Sequence, residues 1–190
     1  DLAPAFAAGE SNLEIRDLLK ASIGRNLGLR FLPNALEYNP LRTPPLTRLE
    51  AAAIVWFDAY VTNVDRTPRN VNMLLYEREL WLIDHGASLY FHHRADWQHH
   101  PERSRVPFTQ IKDHALLPFT APIDEADRLL TPRLTDDLIA SVVDMIPEVW
   151  LHNGTTPEEA RAGYTAWLTA RRDASAVFVE EANHARSQRI

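Results

Sequence analysis

The chain has 190 residues, 45% of them hydrophobic and 24% charged, with a formal net charge of -6 at pH 7. That length and apolar fraction suit a single domain with a real core and exclude general disorder, and no apolar run is long enough for a membrane-spanning helix. The absence of cysteine excludes disulfides, thiolate metal sites and a cysteine nucleophile, while the acidic balance argues against direct nucleic-acid binding.

In chain order, Ser11 with Glu14 forms a capping-box pair, and Leu13, Ile15, Leu18, Leu19 and Ile23 continue it as an amphipathic helix. Residues 24–46 hold Gly24, Gly28, Pro33, Pro40, Pro44 and Pro45 and read as a loop-rich connector. Thr47 with Glu50 opens a second capping box and the most apolar segment, 49–61, which is expected to be a buried helix. The period then changes. The short runs 72–76 and 80–83, separated by Glu77-Arg78-Glu79, predict a β-hairpin. From about residue 110 the pattern is helical again, with Thr135 capping one helix through Ile146 and Thr156-Pro157-Glu158-Glu159 starting another. Trp150, Tyr164, Trp167 and Phe178 are expected in the core of this end. The fold class expected is mainly α with one small β-hairpin, in a single domain of three parts. These are an entry helix and connector (1–45), a core carrying the chemistry (46–117) and a helical end (118–190).

The informative stretch is Asn63-Val64-Asp65-Arg66-Thr67-Pro68-Arg69-Asn70, followed by the hairpin and Ile83-Asp84-His85-Gly86. Asp65 and Asn70 lie in a polar loop after a helix that ends near Thr62, and the hairpin delivers Asp84 at its far end. A carboxylate able to accept a proton, with an amide and a second carboxylate able to share a hard cation, is the kit for phosphoryl transfer. Oxygen ligands without thiolates suit Mg²⁺. In protein kinases the catalytic-loop Asp precedes the metal-binding Asn by five residues, and the second metal motif follows a short hairpin. Asp65, Asn70 and Asp84 repeat that spacing. Taken singly, each reads better as a turn former or strand-end cap; their combination points to the kinase reading.

On these residues, together with Leu80-Trp81-Leu82-Ile83-Asp84-His85-Gly86-Ala87-Ser88-Leu89-Tyr90-Phe91-His92-His93, the chain resembles the HipA-like kinases. The likeness extends to Phe31-Leu32-Pro33, Trp56-Phe57-Asp58, the run from Ile111 to Leu117, and Trp150-Leu151. The core motif is also similar to that of lipid kinases related to the phosphatidylinositol kinases. The resemblance implies the C-terminal lobe of a bilobal, protein-kinase-like fold that uses ATP and Mg²⁺ and phosphorylates a protein hydroxyl. It implies Asp65 as catalytic base and Asn70 and Asp84 as metal and nucleotide ligands. A protein substrate, an antitoxin-like regulatory partner and a cytoplasmic location complete the expectation. No signal peptide is visible.

The chain departs from the pattern in one respect. Kinases hold the α- and β-phosphates with a lysine on an N-lobe strand. Of the 20 basic residues only Lys20 and Lys112 are lysines, one on the first amphipathic helix and the other after the metal motif, and the six glycines form no phosphate loop. The expectation is therefore that an N-lobe lies outside this chain, in keeping with Asp1 in place of Met, and that the lobe alone is inactive. A pseudokinase-like regulatory module is the competing reading.

Other signals are weaker. Neighbouring residues on a strand point to opposite faces, so His92-His93 and His99-His100 read as a polar segment rather than a zinc site. Arg94, Arg103 and Arg105 could meet phosphate or acid groups, or be plain surface charges. Asp58, on the apolar helix, needs hydrogen bonds or a cation, and Arg66 is a candidate that would brace the loop. Asn63 and Asn72 are candidate supports for the site, and His85 replaces the usual Phe of the metal motif. Ser88 after Asp84-His85 lacks the elbow of a hydrolase. Trp56, Phe57, Leu74, Leu82 and Ile83 are expected to pack beneath the loop.

Overall fold

A computed structural model of the chain describes residues 1–41, 46–151 and 154–189. It divides into two compact units, Asp1–Pro33 and Asn34–Ile190. Pro44 and Pro45 of the expected connector lie outside the described residues.

The first unit carries α1 (Ala5–Ala8) and α2 (Leu13–Ala21), closed by a backbone bridge between Leu2 and Gly24. The cap of α2 is Asn12 rather than Ser11: its side chain accepts the Glu14 and Ile15 N–H groups. An amide one residue closer to the helix outcompetes the hydroxyl for those donors. The apolar residues of α2 cover little, and Leu13, Ile15 and Leu18 are exposed.

The second unit is mainly helical, with one small sheet. Its pillar is α3 (Arg48–Tyr60), opened by the expected Thr47–Glu50 capping box. Ala51, Ala52, Val55, Trp56, Ala59 and Tyr60 are all buried, because small residues on one stripe let α4 (Ile123–Leu130) and α7 (Ser175–Ser187) pack closely against it. Trp56 stacks on Tyr60, meets Phe178 edge-on, and donates its indole N–H to Asp127 Oδ1 at 2.7 Å. Pro122 gives α4 no cap, and Asn183 of α7 substitutes by accepting the Ile123 N–H at 2.9 Å. The remaining helices are α5 (Asp136–Asp144), capped by Thr135, and α6 (Pro157–Asp173), opened by the Thr156–Glu159 capping box. Helix α5 stops two residues short of the expected Ile146. Between residues 90 and 119 the chain runs in short 3₁₀ turns rather than in helices.

The hairpin is present as β2 (Met73–Tyr76) and β3 (Glu79–Leu82), with Met73 opposite Leu82. Its two-residue turn is Glu77-Arg78, both left-handed, the backbone that matches strand twist but not the glycine or asparagine that usually marks it. A third strand, β1 (Leu36–Glu37), comes from the connector and pairs antiparallel with β2.

The expected core needs correction at two places. Trp150 is 42% exposed and Phe57 is 39% exposed, whereas Tyr164 is half-buried and Trp167 and Phe178 are buried. Trp150 ends a short 3₁₀ turn (Glu148–Trp150) instead of lying on a packed helix face. Phe57 lies on the edge of α3 that faces out beside Leu82. Of the residues expected beneath the loop only Trp56 is fully buried, and Leu74, Leu82 and Ile83 are half-buried. No described helix is long and apolar enough to cross a membrane.

Candidate active site

The site is built on a carboxylate that lies in the core. Asp58 is completely buried on α3, two residues before the helix ends. A buried charge is tolerated only when fully paired, and Asp58 takes three side-chain donors. Arg66 Nε donates to Oδ2 at 2.6 Å, His114 Nε2 to the same oxygen at 2.9 Å, and Asn63 Nδ2 to Oδ1 at 3.0 Å. His114 Nδ1 accepts the Leu116 N–H at 3.0 Å, which fixes the ring with its hydrogen on Nε2, aimed at Asp58. Burial pushes the Asp58 pKa up, but the His114 and Arg66 contacts outweigh it and hold it below the usual carboxylate range. Its contribution to stability is therefore present above about pH 3.9 and lost as the pH falls through the lower native value.

That knot shapes the loop. Asn63 donates to Asp58 with its nitrogen and accepts the Asp65 N–H with Oδ1 at 3.1 Å. The fully buried Arg66 also donates to the Asn72 carbonyl through Nη1 and meets His85 Nε2 at 3.0 Å through Nη2. Its carbonyl accepts the Ala115 N–H at 2.9 Å. One guanidinium thus ties the helix, the loop, the start of the hairpin and the motif after it. This bracing role for Arg66 is the one anticipated; the share taken by His114 was not, because nothing in a run such as Ile111-Lys112-Asp113-His114 marks which side chain turns inward.

Asp65 is half-buried at the head of the loop. Its Oδ2 accepts Asn70 Nδ2 at 2.7 Å and Asn72 Nδ2 at 3.2 Å. The Thr67–Asn70 bridge turns the loop back so that Asn70 reaches Asp65. Asn72, left-handed at φ 48°, leads into β2, and its carbonyl pairs with the Ile83 N–H at 3.0 Å. Asp84 follows immediately, also left-handed at φ 50°, with Oδ1 accepting the Gly86 N–H at 3.3 Å. Val64 N–H donates to the Ala87 carbonyl at 3.3 Å, so 84–87 runs alongside 64–66. Asp65 and Asn70 are in direct contact, and Asp84 follows Ile83, whose N–H is paired with the carbonyl of Asn72, the second amide on Asp65.

Backbone strain clusters around the site. Thr62 at φ 55° and Leu89 at φ 56° are left-handed, and the Leu89 N–H donates to the Val61 carbonyl at 2.8 Å. For a branched or bulky side chain that conformation costs of order 1–3 kcal/mol, and such positions concentrate at functional sites.

His85 packs edge-on against Phe57, with ring centroids 6.0 Å apart. Loss of water around the ring, and then the adjacent Arg66 charge, hold its pKa below the ordinary imidazole value. His92 and His93 occupy a 3₁₀ turn, Tyr90–His93, so the strand alternation expected for them does not apply, and their Nε2 atoms lie 3.0 Å apart. Burial and His93 lower the His92 pKa. His99 and His100 face other surroundings, with His100 Nδ1 on Glu102 at 2.9 Å. Among the described residues no three His, Cys, Asp or Glu side chains gather as a metal cage. Lys20 pairs with Asp17 on α2, and Lys112 is exposed on a 3₁₀ turn (Thr109–Asp113). Of the three arginines in the segment after Asp84, Arg94 and Arg103 line one cavity and Arg105 a different depression.

Comparison with protein-family models, curated proteins and solved structures returns no match.

Two outcomes follow from this geometry. Asp58→Asn should cost about 3–5 kcal/mol in urea unfolding, because Arg66 is left as a buried, unpaired charge; Asp65→Asn, at a half-exposed position, should cost about 1 kcal/mol. Equal losses would remove Asp58 from its central place. Stability should also fall between pH 7 and pH 5, since the unfolded chain protonates its histidines near pH 6.5, before native His85 and His92 take up a proton. His85→Gln should make that fall shallower in urea midpoints measured across the range, and an unchanged slope would contradict it.

Proposed function

We propose that the 34–190 unit is the catalytic lobe of an ATP- and Mg²⁺-dependent phosphotransferase of the HipA-like kinase type, acting on a serine or threonine hydroxyl of a protein. The observation that carries the reading is the contact set around Asp65. Asn70, five residues on, holds one of its oxygens, and the chain after the hairpin, which carries Asp84, runs back alongside the loop through the Val64–Ala87 backbone bond.

The chemistry follows from which atoms are left. Oδ2 of Asp65 is occupied by two amides, so Oδ1 is the atom available to accept the proton of an attacking hydroxyl. The two amides also fix the carboxylate, which favours one orientation of the acceptor. Asn70 uses its nitrogen on Asp65 and so offers its carbonyl oxygen to a cation. Asp84 keeps a carboxylate at the strained start of the second motif, positioned by the Gly86 N–H. One amide oxygen and one carboxylate, without a fuller cage, fit Mg²⁺, which keeps several waters and takes only one or two protein carboxylates. When bound, the magnesium nucleotide supplies the transferable γ-phosphoryl group and neutralises the charge that develops on it. The protein's share is to hold Asp65, Asn70 and Asp84 in register, which the Asp58–Arg66 knot does.

In the full-length protein, Asp65→Asn should lower phosphoryl transfer by about 100- to 10,000-fold while nucleotide binding persists. Asp84→Asn should instead weaken Mg²⁺-dependent nucleotide binding. Both are read by radiolabelled phosphate transfer and by nucleotide titration with and without Mg²⁺. Transfer surviving in Asp65→Asn would remove the proposed base, and a full-length protein that binds partners but never transfers phosphate would support a regulatory, pseudokinase-like module.

A further inference from the structure

Beside the catalytic loop lies a cavity of about 280 Å³ whose charged lining is all of one sign. Thr62 and Val64, the latter directly before Asp65, form one wall; Phe91 and residues 106–110 form others. Arg94, Arg103 and Arg171 contribute three guanidinium groups, and no carboxylate lines it.

Arg171 is unusual among these. It is fully buried on α6 and spends its donors on the carbonyls of Ala59, Tyr60, Ser104 and Val106, at 2.6–3.3 Å. Phe178 and Trp167 present ring faces 4.7 and 5.7 Å from its guanidinium carbon. Burial lowers its pKa to about 10, so it remains cationic at neutral pH. Carbonyls and ring faces satisfy its geometry, but none of its contacts carries the opposite full charge. Arg94 and Arg103 are exposed and form neither an ion pair nor a side-chain hydrogen bond among the described residues. Glu102, next to Arg103 in sequence, is paired with His100, and the Arg103 charge acts on it only at longer range. The Thr62 hydroxyl is enclosed and has no partner.

We propose that this cavity is an anion pocket that takes a carboxylate or phosphomonoester side chain of the acceptor polypeptide, so that the lobe selects acidic or already phosphorylated substrates. Naming the occupant as part of the acceptor rests on the kinase reading above; the pocket's affinity for an anion does not. Guanidinium groups match both acid types. Arg94 and Arg103, which line the cavity with Arg171, have no ion pair or side-chain hydrogen bond among the described residues to give up on binding, only the longer-range charge of Glu102 on Arg103. The cavity is smaller than the roughly 300–1,000 Å³ of drug-sized sites, which suits one side chain. Its wall at Val64 adjoins Asp65, so an anchored side chain would hold its neighbour in the chain near the base. Arg105 faces elsewhere, beside Pro101 and Thr165, and has no part in it.

The test is binding without nucleotide, so that it stands apart from catalysis. The chain is titrated by NMR with inorganic phosphate and with a short peptide carrying phosphoserine, aspartate or plain serine at its centre. Phosphate, the phosphoserine peptide and the aspartate peptide should shift the Thr62, Val64, Phe91 and Gln110 resonances, more weakly as salt rises. The plain serine peptide should not. Tighter binding of phosphoserine than of aspartate would assign the pocket to primed substrates, and equal binding to acidic ones. The double variant Arg94→Gln/Arg103→Gln should weaken binding about tenfold, and Arg105→Gln should leave it unchanged. Anion binding that the double variant retains, or no anion binding at all, would overturn the pocket. Binding of phosphate but of neither acidic peptide would overturn its assignment to the acceptor. An inactive full-length enzyme whose lobe still binds these peptides would instead remove the kinase reading and leave the anion site standing.

Discussion

The carboxylate of Asp58 is the constraint on which the rest of the site depends. It sits in the most apolar helix of the chain, where an ionised group survives only with its hydrogen-bonding capacity filled. The three donors that fill it come from the helix exit, the loop and a segment more than fifty residues away. Meeting one electrostatic demand therefore fixes the meeting point of three stretches of chain. Such a knot adds little to net stability compared with an apolar core of the same volume, but it is costly to break, and that asymmetry favours one loop geometry over its alternatives.

From that point the order spreads outward through Arg66. A single planar guanidinium reaches Asp58, the Asn72 carbonyl and His85, a span that the point charge of a lysine could not cover with fixed directions. Asn72 then serves two masters, its carbonyl seating the hairpin and its amide holding Asp65. The left-handed residues Thr62, Asn72, Asp84 and Leu89 mark where the backbone bends to satisfy these contacts. The same wall that carries Val64 into the loop closes the arginine-lined cavity, so the proposed base and the proposed anion pocket share a support.

How far this was legible in the sequence varied with the kind of signal. The helix of 49–61 and the helix after Thr156 were readable because capping boxes and apolar stripes are local, and the hairpin was readable from its two apolar runs. Its Glu77-Arg78 turn was not, since neither residue favours the left-handed backbone that the strands impose there. Asn12 displaced Ser11 as a cap by one residue, a difference that only competing hydrogen bonds decide. Trp150 and Phe57 were misplaced because aromatic character says that a residue can be buried, not that a partner surface will cover it. In the site, the spacing of Asp65, Asn70 and Asp84 was visible, and so was the need of Asp58 for a partner. His114 and Arg171 were not, because their roles arise from contacts across more than fifty residues that leave no periodic trace.

In the proposed site, Asn70 and Asp84 share one cation beside the base Asp65. Manganese, a paramagnetic stand-in for Mg²⁺, tests it directly when added with ATP to ¹⁵N-labelled protein. A cation held there should give distance-dependent broadening centred on Asn70, Asn72, Asp84 and Gly86, abolished by Asp84→Asn. Broadening centred on the His92–His93 turn, or spread evenly over the acidic surface, would contradict it.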